Sequence, residues 1–314
     1  MASLCGDKVT HTHLRLRMIP LGIFAVALSV SANQLDPQFN QIGCGKLEST
    51  GRVYKGEPIS RKRIPWIVQL KTQYKSGYRS YCSGSIITRN VILTASHCLT
   101  HKGAFPEKVF VFPNNTANLH GIAVTADKMQ LHRRFVKNAE LVYDVALLKL
   151  SQDIRFTTIM KPVCLPTSDI DVDGETLQVA GWGVTESGHS SEVLRHGRVK
   201  GMDDDECDIW LLQLKNPVTQ RLMKPGPVIC VKGLSAVTCK GDSGGPLTLE
   251  NDHGRSTQVG IHSYGTHCSF KHPTIFTRVA FHMQWIKEQL GQPRKWRRLE
   301  SDPGLHAIAP AKRT

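Results

Sequence analysis

The chain has 314 residues, of which 40% are hydrophobic and 21% are charged. This composition is typical of a globular protein with a substantial core and excludes collagen-like and intrinsically disordered chains. The formal net charge is +14, with basic residues in the body of the chain as well as near its C-terminal end. A basic surface favours acidic partners such as sulfated glycans or anionic lipid, but it can also serve solubility alone, and both interpretations stay open.

The first segment of the chain predicts export. Two arginines precede an apolar run over 18–32 that ends in small residues, as in a secretory signal peptide. The run is too short to cross a bilayer comfortably, so we expect 1–32 to be a leader and the mature protein to be secreted and extracellular, without a membrane span. Met1 and Met18 both stay open as the start of translation.

Short apolar runs separated by turn residues dominate the chain after a polar segment, 33–52, that is interpreted as a pro-segment. Short strands with frequent turns favour an all-β sandwich or barrel. The candidate strands are Trp66–Leu70, Ser85–Leu93, Val109–Phe112, Val145–Leu150 and Leu177–Ala180.

One helical pattern follows near the C-terminus. Apolar residues recur at helical spacing over Val279–Leu290, and Gly291 provides a stop signal. The remaining residues, 291–314, are polar, basic and proline-containing, and we expect them to form a disordered tail.

The cysteines indicate a disulfide framework. Nine are present, and Cys5 would leave with the leader, so an even number remains in an exported protein. Eight cysteines allow about a hundred pairings, and their number alone does not choose one. The chain has no two cysteines separated by two residues (CxxC), which argues against a zinc ribbon.

Three short motifs carry the candidate chemistry: Leu93–Cys98 (LTASHC), Asp144–Leu148 (DVALL) and Gly241–Pro246 (GDSGGP). Each alone has a structural explanation, such as a capped turn or a tight loop. Together, with His, Asp and Ser in this chain order, they resemble the trypsin/chymotrypsin family of serine proteases over about 44–290. The resemblance implies two packed antiparallel β-barrels with a C-terminal helix, in a protease domain over 53–290.

The residue types fit peptide-bond hydrolysis. A serine hydroxyl is a poor nucleophile at neutral pH and needs a base within hydrogen-bond reach, the role expected of His97 toward Ser243. Asp144 would hold the imidazole and stabilise its protonated form. The resemblance implies that the amides of Gly241 and Ser243 form the oxyanion hole.

The resemblance also implies a cysteine pairing and a tethered pro-segment, as in family members whose pro-segment stays attached after cleavage. The implied pairs are Cys82 with Cys98, Cys207 with Cys230, Cys239 with Cys268, and Cys44 with Cys164.

Activation would follow cleavage after Arg52 by an upstream trypsin-like protease, when the new amine of Val53 pairs with Asp242. The chain departs from the usual family start of Ile-Val-Gly-Gly, because Val53 is followed by Tyr-Lys-Gly. A rival site after Arg63 would place the new terminus at Ile64, directly on a predicted strand, so Arg52 is preferred.

The expected substrate pocket is uncharged. Val237 occupies the position where trypsin-like members carry an Asp, and Thr274 replaces a common glycine, as in elastase-type members. The floor also includes Thr238, and the wall Ser263, Tyr264 and Gly265. This pattern predicts cleavage after small or medium apolar residues.

The remaining sequence features concern glycosylation, metal binding and the class of substrate. Asn114 begins a glycosylation acceptor. His262, His267 and His272 recur every fifth residue, but a structural role fits them better than a metal, and we expect neither metal nor cofactor. Protein or peptide substrates are expected, and nucleic acid is not.

Several alternatives stay open. Macromolecular serine protease inhibitors and an anionic glycan are open partner classes, and both digestion and a clotting or immune cascade are open settings. The alternative function is a non-catalytic protease homologue that acts as a basic binding or regulatory module.

Overall fold

The computed structural model describes residues 39–41, 43–46, 64–113, 123–138, 141–213, 226–265 and 268–299. The predicted leader, Arg52, Val53 and the glycosylation acceptor Asn114 lie outside these ranges.

The first barrel is formed by six antiparallel strands. They are β1 (Ile67–Gln73), β2 (Arg79–Ile86), β3 (Val91–Thr94), β4 (Lys108–Phe112), β5 (Val124–Leu131) and β6 (Ala146–Leu150). Their order is β5-β4-β1-β2-β3-β6, and pairing of β5 with β6 closes the barrel. The predicted apolar run Ser85–Leu93 is two strands rather than one, because the polar residues 88–90 form a turn in which the Ile87 amide donates to the Val91 carbonyl.

The second barrel contains the next six strands. They are β7 (Thr176–Gly181), β8 (Arg195–Gly201), β9 (Val228–Gly233), β10 (Pro246–Glu250), β11 (Ser256–Gly265) and β12 (Thr274–Arg278). They close in the order β10-β11-β12-β9-β8-β7, with antiparallel pairing throughout. The all-β, two-barrel prediction is therefore confirmed.

Each barrel is filled by apolar side chains from its own strands. The first core includes Val68, Leu70, Ile92, Leu147 and Leu148, all without exposed area. The second includes Leu177, Val231, Leu247 and Phe276. Because interiors of this kind are close-packed, the ends of the strands are held in fixed positions at the barrel rims.

The described ranges contain three α-helices: α1 (Arg133–Asn138), α2 (Asp204–Gln213) and α3 (Val279–Leu290). The helix predicted near the C-terminus is confirmed with the same bounds, and Val279, Met283 and Ile286 supply its buried face. At 12 residues α3 is the longest of them, and the described part of the chain contains no helix long and apolar enough to cross a membrane.

The prediction of a disordered tail is wrong for 291–299. Pro293–Lys295 form a 3-10 helix, and β13 (Arg297–Arg298) pairs with Met129 and Lys128 of β5. The segment is ordered because Trp296 and Leu299 are buried in the first core, and the Trp296 indole donates to the Gln289 carbonyl over 3.1 Å. The predicted tail beyond 299 lies outside the described residues.

Four disulfides join the pairs that the resemblance implied: Cys82–Cys98, Cys207–Cys230, Cys239–Cys268 and Cys44–Cys164. The last joins the segment around Cys44, interpreted from sequence as part of a pro-segment, to the chain between β6 and β7. Beside it, the Gly45 amide donates to the Pro162 carbonyl and the Ser256 amide to the Gly45 carbonyl. Asn40 exchanges two hydrogen bonds with the backbone of Leu165, of 2.9 and 2.6 Å. The described residues of this segment are therefore held by backbone and side-chain hydrogen bonds as well as by the disulfide.

Replacing Trp296 should weaken the fold even though it lies in a segment that looks like a tail. Trp296→Ala empties a buried site and removes the bond to Gln289, so we expect the free energy of unfolding to fall by about 3–5 kcal/mol. The measurement is chemical denaturation beside the exposed neighbour variant Arg298→Ala. Equal stability of the two variants would contradict the packing of this segment.

Candidate active site

His97 lies on a 3-10 helix, Ser96–Leu99, that follows β3 at the rim of the first barrel. The Ser96 hydroxyl donates to the Val145 carbonyl over 2.7 Å, and the next residue, Cys98, is linked to Cys82 of β2. These bonds fix the backbone on both sides of the imidazole, whose ring remains partly exposed. The histidine is therefore rigidly mounted and still accessible.

Asp144 is fully buried just before β6. Its carboxylate accepts three hydrogen bonds: from the His97 amide (2.8 Å), from His97 Nδ1 (2.6 Å) and from the Ser263 hydroxyl (2.6 Å). Burial alone would raise the pKa of Asp144, but the charge of His97 and these hydrogen bonds outweigh it and lower the pKa. Asp144 is therefore held as a carboxylate.

The interaction between Asp144 and His97 also changes the pKa of the histidine, in the opposite direction. Burial by itself would lower the pKa of His97, yet the negative charge of Asp144 and the hydrogen bond to it raise the pKa above its usual value. Asp144 thus favours the protonated imidazole, and in the neutral form it keeps the proton on Nδ1, leaving Nε2 as the basic nitrogen.

Ser243 lies on the tight loop before β10, and backbone bonds bring this loop to the histidine. The Ser83 amide donates to the Ser243 carbonyl over 2.7 Å, and Ser83 adjoins Cys82, the partner of Cys98. Gly244 has φ +77, and a Cβ there would lie 2.2 Å from Thr94 Oγ1, so only glycine fits. Within the described chain no hydrogen bond joins Ser243 to His97; Nε2 of His97 lies 3.8 Å from Cys98 Sγ.

The backbone around Ser243 leaves two donors available. Gly241 adopts φ +100, and among the described residues neither its amide nor that of Ser243 takes part in a backbone hydrogen bond. A pair of unengaged amides beside a serine hydroxyl can stabilise a developing oxyanion.

Asp242 is a second buried carboxylate, with a different environment. It accepts hydrogen bonds from the amides of Gly183 (2.7 Å) and Cys239 (2.9 Å). Burial raises its pKa to about 6, although these two bonds act to lower it. A Cβ on Gly181 or Gly183 would lie 1.9 or 2.3 Å from a carboxylate oxygen, so both glycines are needed for this close approach.

A cavity of about 170 Å³ adjoins Asp242, and its lining also includes Val237 and Thr238. Among the described residues no Lys, Arg or His pairs with Asp242. The carboxylate therefore lies beside an open space without a cationic partner from the described part of the chain.

The predicted substrate wall is assembled around β11 and β12. Gly265 pairs with Thr274 across these strands, and the Thr238 hydroxyl lies 3.5 Å from that of Thr274. Ser263, assigned from sequence to the wall, also supplies a hydrogen bond to Asp144. A β-bulge between His262 and Tyr264 makes this role difficult to foresee, since a bulge redirects the side chains around it.

His262 is a site residue that sequence analysis did not identify. Its side chain is only 5% exposed, and within the described part of the chain neither ring nitrogen has a hydrogen-bond partner. Of its two companions in the five-residue pattern, His272 lies on the segment before β12 and His267 lies outside the described residues. Among the described residues one cluster has metal-ligating types, Cys82, His97 and Cys98, and both of its sulfurs are engaged in a disulfide.

The sequence profile of the Trypsin family matches residues 53–286. Trypsin 5G1 of Aedes aegypti is 32% identical over 274 residues, which cover 85% of this chain and 95% of that protein. Suppressor of tumorigenicity 14 protein homolog of Bos taurus and Ovochymase-2 of Mus musculus are each 29% identical, covering 79% and 78% of this chain. The chain spans only 29% and 42% of the lengths of these last two relatives.

Two solved structures share the architecture. HL collagenase is 25% identical with a TM-score of 0.64, covering 76% of this chain and 99% of that one. The scabies mite inactivated protease paralogue S-D1 has a TM-score of 0.65 over 76% of this chain and 98% of its own, at 24% identity, and shows the fold alone.

The raised pKa of Asp242 should appear in the stability of the uncleaved chain. Because the folded pKa, about 6, exceeds the usual value of 3.8, the stabilising contribution of the protonated carboxyl is complete only below pH 3.8 and is lost as pH rises through 6. We expect the free energy of unfolding to fall by about 2 kcal/mol between pH 4 and 7, relative to Asp242→Asn.

The measurement is urea denaturation across this pH range, with Asp252→Asn at an exposed position as the control. A wild-type profile parallel to that of Asp242→Asn would contradict an uncompensated buried carboxylate.

Proposed function

Since the chain belongs to the trypsin family of serine proteases, we propose that it is a secreted endopeptidase that hydrolyses peptide bonds with His97, Asp144 and Ser243. The observation that carries the proposal is the buried Asp144 carboxylate, which holds His97 through the 2.6 and 2.8 Å hydrogen bonds. A buried carboxylate fixing one imidazole nitrogen leaves the other free to act as a base.

In the proposed reaction, His97 Nε2 takes the proton of Ser243 as its oxygen attacks the carbonyl carbon of the substrate. The imidazolium that forms is stabilised by Asp144, which stays ionised. The amides of Gly241 and Ser243 donate to the carbonyl oxygen as it becomes negative. His97 then protonates the leaving amine, and water hydrolyses the acyl-enzyme by the same steps.

Activation is proposed to follow cleavage after Arg52. The amine of Val53 would enter the cavity beside Asp242 and supply the cation that this carboxylate lacks among the described residues. A buried carboxylate without a partner is unfavourable by about 3–5 kcal/mol, so pairing would reorganise the loop that bears Gly241 and Ser243. The uncleaved chain is thus a zymogen, and an upstream trypsin-like protease is its activator.

The substrate pocket is proposed to accept uncharged side chains of small or medium size. Val237 and Thr238 at the floor carry no charge, and the Thr274 side chain, 7% exposed, fills space that a glycine would leave open. The preference for apolar residues remains a prediction, as do macromolecular inhibitors, an anionic glycan and glycosylation at Asn114.

The proposal is tested by trapping and by turnover. After trypsin cleavage and inhibition of the trypsin, a fluorophosphonate should label Ser243, and peptides varying only the residue before the scissile bond (Ala, Val, Leu, Phe and Arg) should be cut. Preference for Arg would contradict the pocket assignment. Absence of both labelling and turnover would instead favour the non-catalytic homologue.

Asp144→Asn should nearly abolish activity without unfolding the protein. The Asn side chain has one oxygen where Asp144 has two, so it cannot accept from both the His97 backbone N–H and Nδ1, and it carries no charge to stabilise an imidazolium. We therefore expect kcat to fall by about 10⁴-fold. Steady-state kinetics, with Ser243→Ala as the fully inactive reference, provide the measurement. A loss of less than tenfold would contradict the assigned role of Asp144.

Arg52→Gln and Arg63→Gln separate the two activation sites. If Val53 is the new terminus, the first variant stays inactive after trypsin treatment and the second is activated normally, because only a free amine at Val53 reaches Asp242. N-terminal sequencing and activity after limited proteolysis decide the outcome. The reverse result would assign activation to Ile64.

A further inference from the structure

The strand behind the candidate nucleophile carries a buried histidine with unsatisfied nitrogens. The His262 amide donates to the Gly245 carbonyl over 2.9 Å, and its carbonyl accepts from the Gly244 amide over 2.8 Å, so its backbone is fixed to the loop of Ser243. Yet neither Nδ1 nor Nε2 has a hydrogen-bond partner among the described residues, in a side chain that is only 5% exposed. Folded proteins rarely leave buried polar atoms unpaired, because each costs about 1–3 kcal/mol.

The unpaired Nε2 lies close to residues assigned to the substrate pocket. A Cβ built on Gly265 would lie 3.8 Å from His262 Nε2 and 3.8 Å from Thr274 Oγ1. The imidazole nitrogen and the Thr274 hydroxyl therefore lie on the same side of Gly265, and the Thr238 hydroxyl, which lines the cavity, lies 3.5 Å from that of Thr274. These three polar groups are grouped beside the predicted pocket floor.

The imidazole is neutral in this position. Burial and the neighbouring His97 lower the pKa of His262 to about 3, and the opposing effect of Asp144 is smaller. A neutral imidazole offers one N–H donor and one acceptor nitrogen. A hydroxyl can accept or donate, so the pair His262 and Thr274 is complementary to a group that carries both a carbonyl oxygen and an NH₂.

We infer that His262 is a specificity-determining residue that donates a hydrogen bond to the side-chain carbonyl of a glutamine preceding the scissile bond, while Thr274 accepts from its NH₂. The inference rests on the proposed protease function and deepens it. The described pocket residues Val237, Thr238, Gly265 and Thr274 supply no cation, so a glutamate carboxylate would lose its hydration without a fixed counter-charge. Leucine would fit a similar volume but leave His262 unpaired.

This inference changes the sequence-based expectation of an apolar preference. It keeps the uncharged, medium-sized pocket and adds a hydrogen bond at its side. Sites built to hydrogen-bond a substrate discriminate strongly against analogues that lack the group, so we expect glutamine over leucine by at least about tenfold in kcat/KM.

The test uses the full chain cleaved at Arg52 and peptides that differ only in Gln, Leu, Glu or Ala before the scissile bond. We expect Gln to be the best substrate. His262→Leu should lower the ratio of kcat/KM for the Gln peptide to kcat/KM for the Leu peptide by about tenfold or more. Thr274→Val, which keeps the side-chain volume and removes only a hydroxyl, should also lower kcat/KM for the Gln peptide. This second variant keeps the proposal testable if His262→Leu misfolds. His253→Leu, at an exposed turn, is the matched control.

Binding measured without turnover separates this inference from the proposed function. In Ser243→Ala protein, calorimetry should show tighter binding of the Gln peptide than of the Leu peptide, and Thr274→Val in that background should remove the difference. Preferential Gln binding without any turnover in the wild type would contradict the protease function and support the role of His262. Turnover with Leu or Glu equal to or better than Gln would overturn the role of His262 and leave the protease function standing.

Discussion

The hydrogen bonds to the buried carboxylate of Asp144 are the constraint on which the site depends. A charge without exposed area must be met by donors, and leaving it unpaired would cost about 3–5 kcal/mol. The donors come from both barrels: His97 from the rim of the first and Ser263 from β11 of the second, while Thr277 of β12 donates to the Asp144 carbonyl over 3.2 Å. The arrangement around Asp144 is therefore complete only when the two barrels are packed together.

The two buried aspartates show that burial alone does not decide the ionisation of a carboxyl group. Asp144 and Asp242 are both removed from water, yet the pKa of the first is lowered and that of the second is raised. The difference lies in their partners, because Asp144 accepts hydrogen bonds from an imidazole, a hydroxyl and one backbone amide, whereas Asp242 accepts from two backbone amides. The imidazole can carry the charge that balances Asp144, and Asp242 has no cationic partner among the described residues.

Sequence alone predicted the parts of this molecule that local signals encode. The two-barrel fold, with its short strands, and the helix 279–290 followed from apolar spacing, turns and family motifs, while the cysteine pairs followed from the resemblance. The interaction of Ser263 with Asp144 and the burial of His262 could not be predicted, because both depend on a bulge and on pairing across strands distant in sequence. The polar and basic composition of 291–299 predicted disorder, but the burial of two side chains, Trp296 and Leu299, orders this segment.

The long sequence separations within the site determine when it can form. Asp144 lies 119 residues before Ser263 and 133 before Thr277, and contacts over such distances form late because loop closure is entropically costly. During synthesis, which proceeds from the N-terminus, His97 and Asp144 emerge well before β11 and β12. A nascent chain that ends before β11 thus lacks the hydrogen bonds of Ser263 and Thr277 to Asp144. The topology itself delays completion of this arrangement until β11 and β12 have been made.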